Sequence, residues 1–149
     1  MSKELNDLDL KLVRLLQRDA RQSSEKLAKL LDVSPSTVRR RLKDLIGSGL
    51  VRIAGFIDPR KAGFPFIAFI GCNIAPGYLD SATQTLVKLP QVRLLGTAAG
   101  RYDAIAIAAF RSAEELSDFL QSELSKVDGL RGSETLICLE MKKGNYMPI

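Results

Sequence analysis

The chain has 149 residues, with 22 Lys and Arg against 17 Asp and Glu, two Cys, and neither His nor Trp. Without His there is no imidazole base, His metal ligand or axial haem His, and Cys72 and Cys138 alone make neither a tetrahedral zinc site nor a disulfide framework. The net charge of +5 is unevenly placed: residues 1–65 hold 14 basic and 8 acidic side chains and the rest hold 8 and 9, which implies a module for nucleic acid or an anionic surface joined to a nearly neutral one.

Residues 1–50 read as three short helices. Asn6, with Asp9 three residues on, marks a helix start, and Leu8, Leu12, Leu15 and Leu16 follow at helical spacing. "DARQSS" breaks the pattern, and Ser23 or Ser24 can cap a second helix carrying Leu27, Ala28, Leu30 and Leu31. After "LDVSP", Ser34 supplies an N-cap oxygen and Pro35 stands at the first helical position, where its missing N–H is no loss. The third helix runs through Val38, Leu42, Leu45 and Ile46 to Gly47 or Gly49. The second and third helices fit a helix-turn-helix. Ala28 is the small residue at the crossing, Val38 is the apolar anchor, and Asp32 takes the left-handed turn position more often held by Gly.

At 100° per residue Val38, Leu42 and Leu45 share one face of the third helix, and Ser36, Arg40 and Lys43 lie nearly opposite. Arg39 flanks that polar face on one side, Thr37 and Arg41 on the other. Such a face can enter a major groove, its N-terminal residues meeting base edges and its cations meeting guanine or phosphate. Ser34, Ser36, Thr37, Arg39, Arg40, Arg41 and Lys43 are therefore the candidate DNA-binding residues. The four cations are expected to supply most of the affinity, and Ser36, Thr37 and Arg40 the base contacts. The plainer alternative is a solvated charged face on a helical bundle. No aromatic residue precedes Phe56, so this half has no ring on which unpaired bases could stack, and double-stranded DNA is the expected partner.

Residues 51–65 have strand character at Val51, Ile53 and Ile57 and end in Asp58-Pro59, Gly63 and Pro65, which reads as a short β linker or wing. Residues 66–149 then alternate. A strand over 66–74 is followed by a helix over about 78–88 and by strands in "VRLLGTAA" and "AIAIAAF" joined by the turn "GRYD". Ser112 and Glu115 form a capping box opening a helix that buries Leu116, Phe119, Leu120, Leu124 and Val127, and "SETLICLEM" is the last strand. The order βαββαβ is the ferredoxin-like arrangement, so the fold class is α+β. Strands 66–72 and 104–110 are apolar at consecutive positions. Helices cover one face of such a sheet, so an apolar second face predicts a homodimer packed there.

The longest apolar run, "FPFIAFIGCNIAP", is too short and interrupted to span a bilayer. No basic leader before an apolar stretch opens the chain. A reduced, cytoplasmic setting is expected, with no membrane partner, metal or cofactor.

The segments "LNDLDLKLVRLLQRDAR" at 5–21, "LAKLLDVSPSTVRRRLKDLIGSGLV" at 27–51, "LPQV" at 89–92, "GRYDAIAIAAF" at 100–110 and "VDGLRGSETLICL" at 127–139 arrive in an order and spacing that resembles the Lrp/AsnC (feast/famine) transcription regulators over nearly the whole chain. The resemblance implies dimers, often assembled further into tetramers or octamers. It also implies small effectors, frequently amino acids, bound between C-terminal domains at positions on the loop before the third strand and on the last strand. Gly100 leaves backbone N–H groups open to a carboxylate, and Asp103 offers a negative charge to an amino group. Thr97, Ser133 and Thr135 offer hydroxyls, and Arg101 can pair with an acidic effector. With Tyr102 of the same loop, these are the candidate effector-binding residues, although "GRYD" can equally be a plain hairpin turn. Two alternatives share parts of this pattern. One is an architectural DNA-binding protein with little sequence preference. The other is a haem-pathway decarboxylase of the same architecture, which the absence of His disfavours; no catalytic residue is expected, since no group with a pKa near neutrality stands ready as a base.

Overall fold

A computed structural model of the chain describes residues 5–143; residues 144–149 of the expected C-terminal domain lie outside the described residues. The chain divides into two compact units after Ala54.

The first unit holds three helices, α1 (Asp7–Arg18), α2 (Ser24–Leu31) and α3 (Pro35–Gly47). Each starts on a side-chain cap. Asn6 Oδ1 accepts from the Asp9 N–H at 2.8 Å, Ser23 Oγ from the Lys26 N–H at 3.2 Å and Ser34 Oγ from the Thr37 N–H at 3.1 Å, satisfying one otherwise orphaned donor each. Asp32 closes α2 at φ 52, ψ 49, and the Ala28 carbonyl accepts from both the Asp32 and Val33 N–H groups. That left-handed residue reverses the chain in a few positions and sends α3 across α2. Leu12, Leu16, Leu27, Ala28, Val38 and Leu45 form the core. Leu30 and Ile46, expected inside, are exposed; each sits roughly 90–110° from the centre of its helix's buried stripe.

The expected strand at 51–57 is not formed: 51–56 are irregular, and Ile57 alone makes an isolated bridge. Within one chain these residues have no neighbouring strand to satisfy their N–H and C=O groups. Residues 58–64 are instead a tight turn belonging to the second unit. Phe64 N–H donates to Pro59 O at 2.8 Å, and the Arg60 guanidinium donates to the carbonyls of Cys138 and Leu139 at 3.0 and 2.6 Å.

The second unit is an antiparallel sheet of β1 (Phe66–Ile74), β2 (Val92–Thr97), β3 (Ala104–Phe110) and β4 (Leu130–Ile137), in the order β2-β3-β1-β4, with α4 (Leu79–Leu86) and α5 (Ala113–Asp118). Ala68, Ile70, Cys72, Ala104, Ala106, Ala108 and Phe110 line the face that packs on Ala82, Leu86, Phe119, Leu124 and Val127. The helix expected from 113 to 127 is α only to Asp118. A π turn over Phe119–Glu123 follows, with the Leu124 N–H donating to Phe119 O, and then a 3₁₀ turn to Lys126. In an α-helix residues five apart point roughly 140° away from each other. The wider turn brings Phe119 and Leu124, 1% and 2% exposed, onto the same core. The capping box is also altered: Ser112 Oγ accepts from the Glu115 N–H, but the Glu115 carboxylate accepts from Arg111 rather than from Ser112.

The last strand begins and ends earlier than "SETLICLEM" implies, because its register with β1 runs from Ile74↔Leu130 to Ala68↔Ile137. The other sheet face carries a cross-strand row Leu94–Ile107–Phe69–Leu136. Its outer members Leu94 and Leu136 are 56% and 58% exposed, so within one chain an apolar face is left open.

Candidate nucleic-acid interface and effector loop

Along α3 the buried Val38 and Leu45 turn one side to the core, and Ser36, Arg40 and Lys43 are exposed on the other. Among the described residues Arg40 and Lys43 make no ion pair or hydrogen bond. Two cations separated by three residues, one helical turn apart and without an ion pair, present positive charge to solvent.

Arg39 is exposed but pairs with Glu25 of α2 at 2.9 Å. The Glu25 backbone N–H first, then the Arg39 guanidinium, hold that carboxyl below the usual glutamate range. An exposed pair of this kind is weak and exchanges readily for phosphate. At the start of α3 the hydroxyls form a small network. Ser34 Oγ lies 2.8 Å from both Ser36 Oγ and Thr37 Oγ1, so Ser34 is committed to capping and Thr37 is half withdrawn beside it.

Arg41 is placed differently from the groove-facing role expected of it. Its guanidinium turns back to α1, where Nη1 lies 3.7 Å from Asp9 Oδ2, and the two side chains are 23% and 8% exposed. Among the described residues of this unit Asp9 is the buried charged one, and Asp9 Oδ1 and Arg41 Nε have no hydrogen-bond partner there. Asp9 was read in the sequence only as part of the helix start at Asn6. Its spacing from Leu12 and Leu16, three and seven residues, is the signal that places it on the buried stripe.

The candidate effector residues split between the two faces of the sheet. Thr97, Ala104, Cys72 and Ser133 form one register row. Thr97 and Ser133 therefore stand on opposite edge strands, roughly 14 Å apart at three strand spacings. Ser133 and Thr135 pair with Cys72 and Ile70 and so share the helix-covered side. On the open side Tyr102 lies across Gly71, where an added Cβ would come within 2.6 Å of its ring. Beside it Arg101 Nη1 is 3.9 Å from Glu134 Oε2. Gly100 has φ +142, a conformation that favours glycine. Asp103 is a structural residue first. Its Oδ2 accepts the Ile74 N–H at 2.7 Å at the bulge in β1, its N–H donates to Cys72 O at 2.9 Å, and its carbonyl accepts from Ala98. Among the described residues its other carboxylate oxygen accepts no hydrogen bond. The structure thus brings together Arg101, Tyr102 and Asp103, but it does not bring Thr97, Ser133 and Thr135 to the same point within one chain. Glu134 joins the loop, which the sequence did not signal.

Cys72 is buried, and burial pushes its thiol up to about 11, so it is a neutral core residue at pH 7. Among the described residues no cluster of three or more metal-ligating side chains occurs, and no helix is long and apolar enough to cross a membrane.

Residues 5–52 match the family model described as winged helix-turn-helix DNA-binding, and residues 67–148 match the Lrp/AsnC ligand binding domain. The chain is 36% identical over 144 residues to an HTH-type transcriptional regulator of Pyrococcus abyssi, covering 96% of this chain and 91% of that one. It is 34% identical over 149 residues to the HTH-type transcriptional regulator Ptr1 of Methanocaldococcus jannaschii, covering 97% and 99%. Among solved structures, E. coli AsnC superposes with a TM-score of 0.86 at 26% identity, covering 94% of this chain and 95% of that one. A Neisseria meningitidis transcriptional regulator in complex with L-Met superposes with a TM-score of 0.87 at 25% identity, covering 95% and 94%. With a DNA-binding helix-turn-helix before a ferredoxin-like ligand-binding unit, and with both matched in order along nearly the whole chain, the protein belongs to the Lrp/AsnC family of transcription regulators.

Proposed function

We propose that the protein acts as a homodimer whose two α3 helices enter successive major grooves of a pseudo-palindromic operator. The observation that carries this reading is the outer face of α3, where Arg40 and Lys43 stand exposed and unpaired opposite the buried Val38 and Leu45. Ser36 and Arg40 read base edges, Arg39 and Lys43 neutralise phosphates, and Ser34 and Thr37 fix the N-terminus of the helix that presents them. Arg41 acts from behind, by holding α3 on α1. The dimer buries the Leu94–Ile107–Phe69–Leu136 row, which supports pairing of two sheets face to face.

The effector is a small amino acid held at the 100–103 loop. Its carboxylate meets backbone N–H groups at Gly100 and the Arg101 guanidinium, and its ammonium meets the second oxygen of Asp103. Thr97, Ser133 and Thr135 contribute only where another copy brings its sheet edge to this loop, which suits assembly beyond the dimer. Both thiols stay reduced in a cytoplasmic setting, and no catalytic role is assigned to any residue.

Selection of bound fragments from genomic DNA, with and without a mixture of amino acids, tests this reading. Enriched sites should share half-sites whose centres lie roughly 34 Å or a multiple of it apart, and enrichment should change with the mixture. Uniform recovery of all fragments would instead mark an architectural DNA-binding protein.

A further inference from the structure

Of the three cations assigned to the DNA face of α3, Arg39 is the one with an acidic partner among the described residues. Its Nη1 donates at 2.9 Å to Oε1 of Glu25, 14 residues earlier in the first turn of α2. Arg40 and Lys43 make no ion pair there. The other ion pairs described in this unit, Asp7–Lys11, Asp19–Arg21 and Asp9–Arg41, engage none of the three. Nor does Glu25 take Lys29, which stands one turn further along its own helix, exposed and without an ion pair among the described residues. The carboxylate instead reaches across to α3 and sets a negative charge at the edge of the surface proposed to meet phosphate.

The two side chains are 59% and 61% exposed, against 23% and 8% for Arg41 and Asp9. A pair this open is held weakly, so Arg39 can leave it. Glu25 cannot leave with it. It is fixed on the first turn of α2, and the first helix of a helix-turn-helix crosses the DNA backbone. When Arg39 turns to a phosphate, Glu25 loses its cation and stands unpaired close to an anion. The cost falls on a phosphate contact, which every duplex offers.

We infer that Glu25 competes with DNA phosphate for Arg39 and so limits the affinity of the protein for duplexes of any sequence. The inference rests on the placement of α3 in the major groove. Glu25 sets how much protein is needed to occupy a site, and the ratio between sequences is left to Ser36 and Arg40, which meet base edges.

Fluorescence anisotropy on a selected operator and a scrambled duplex, with Glu25→Gln, Arg39→Ala and the double variant, tests this. Glu25→Gln should tighten binding to both duplexes by the same factor, about fivefold at roughly 0.1 M salt with both copies of a dimer relieved. The gain should shrink as salt rises, because salt screens an exposed pair. In the Arg39→Ala background Glu25→Gln should tighten binding less than about twofold, since no cation is left to compete for. Circular dichroism spectra should be unchanged, both positions being exposed. Unchanged affinity in Glu25→Gln would overturn the inference. So would weaker operator binding, which would mean that Glu25 orients Arg39 toward a base. A full gain without Arg39 would reduce Glu25 to a plain repelling charge and would overturn it as well. If Glu25→Gln changes nothing while Arg40→Ala loses discrimination, α3 still lies in the groove and this inference alone fails. Wild-type discrimination in Arg40→Ala would instead remove the groove placement beneath it.

Discussion

Arg41 and Asp9 show how a residue of the right charge in the right helix can serve a different purpose. Arg41 stands three residues after Val38 and four before Leu45, both buried, so helical periodicity sets it at the edge of the buried stripe rather than in the groove-facing row. Asp9 is placed the same way relative to Leu12 and Leu16. Both positions were legible from spacing, but a run of three arginines reads first as one basic patch. With Asp9 8% exposed and Arg41 23% exposed, removing one partner strands the other. Asp9→Leu is expected to lower stability by about 2–3 kcal/mol, measured by urea unfolding. The double variant Asp9→Leu with Arg41→Leu should regain most of that loss, because no lone charge remains inside. Arg40 and Lys43, by contrast, should each be replaceable by Ala with a change in stability within about 0.5 kcal/mol.

At the scale of elements, the caps and turns were the most legible features, since each depends on chemistry local to a few residues. Asn6, Ser23, Ser34 and Ser112 cap the helices expected of them, and Asp32 is left-handed where the motif needs it. What the sequence did not show depends on distant partners. The limits of β4 come from its register with β1, the π turn from the need to seat both Phe119 and Leu124, and the irregular 51–56 segment from the lack of a strand beside it. The candidate effector loop was half legible. "GRYD" is the loop, but the register that puts Thr97 and Ser133 on opposite edges, and the pleat that lays Tyr102 over Gly71, are properties of the assembled sheet.

Gly71 is read from that pleat. A methyl group there would lie 2.6 Å from the Tyr102 ring, so Gly71→Ala should displace the ring and destabilise the second unit by about 1–3 kcal/mol. The shift should appear in thermal unfolding and in Tyr102 near-ultraviolet circular dichroism. The acidic side of stability belongs to this scale as well. Glu25 and Glu114 both have carboxyls held below the usual range, each first by its own backbone N–H and then by a side chain, Arg39 for one and Ser112 for the other. Charged carboxylates thus favour the folded state above the ordinary glutamate value, and that contribution is lost as pH falls through the lowered folded values. Thermal midpoints should therefore fall on acidification below about pH 4.5, and Glu114→Gln should flatten part of that slope.

At the scale of the whole molecule, the uneven charge noted in the sequence divides the labour. The first 65 residues carry the entire excess of basic over acidic residues and no aromatic before Phe56, as a reader of duplex backbone and groove requires. The rest is nearly neutral and builds a sheet with one covered and one open apolar face, suited to ligand binding and association. The direct test of the DNA-binding assignment is the dependence of binding on salt, measured by fluorescence anisotropy on a selected operator and a scrambled duplex. Wild-type affinity should fall steeply with salt on both. Lys43→Ala should weaken both duplexes alike and reduce the log–log slope by about 1.8, roughly 0.9 for each of the dimer's two Lys43 side chains, and Arg40→Ala should in addition lose about 1–3 kcal/mol of discrimination per half-site. Wild-type slopes and wild-type discrimination in both variants would contradict the placement of α3 in the groove.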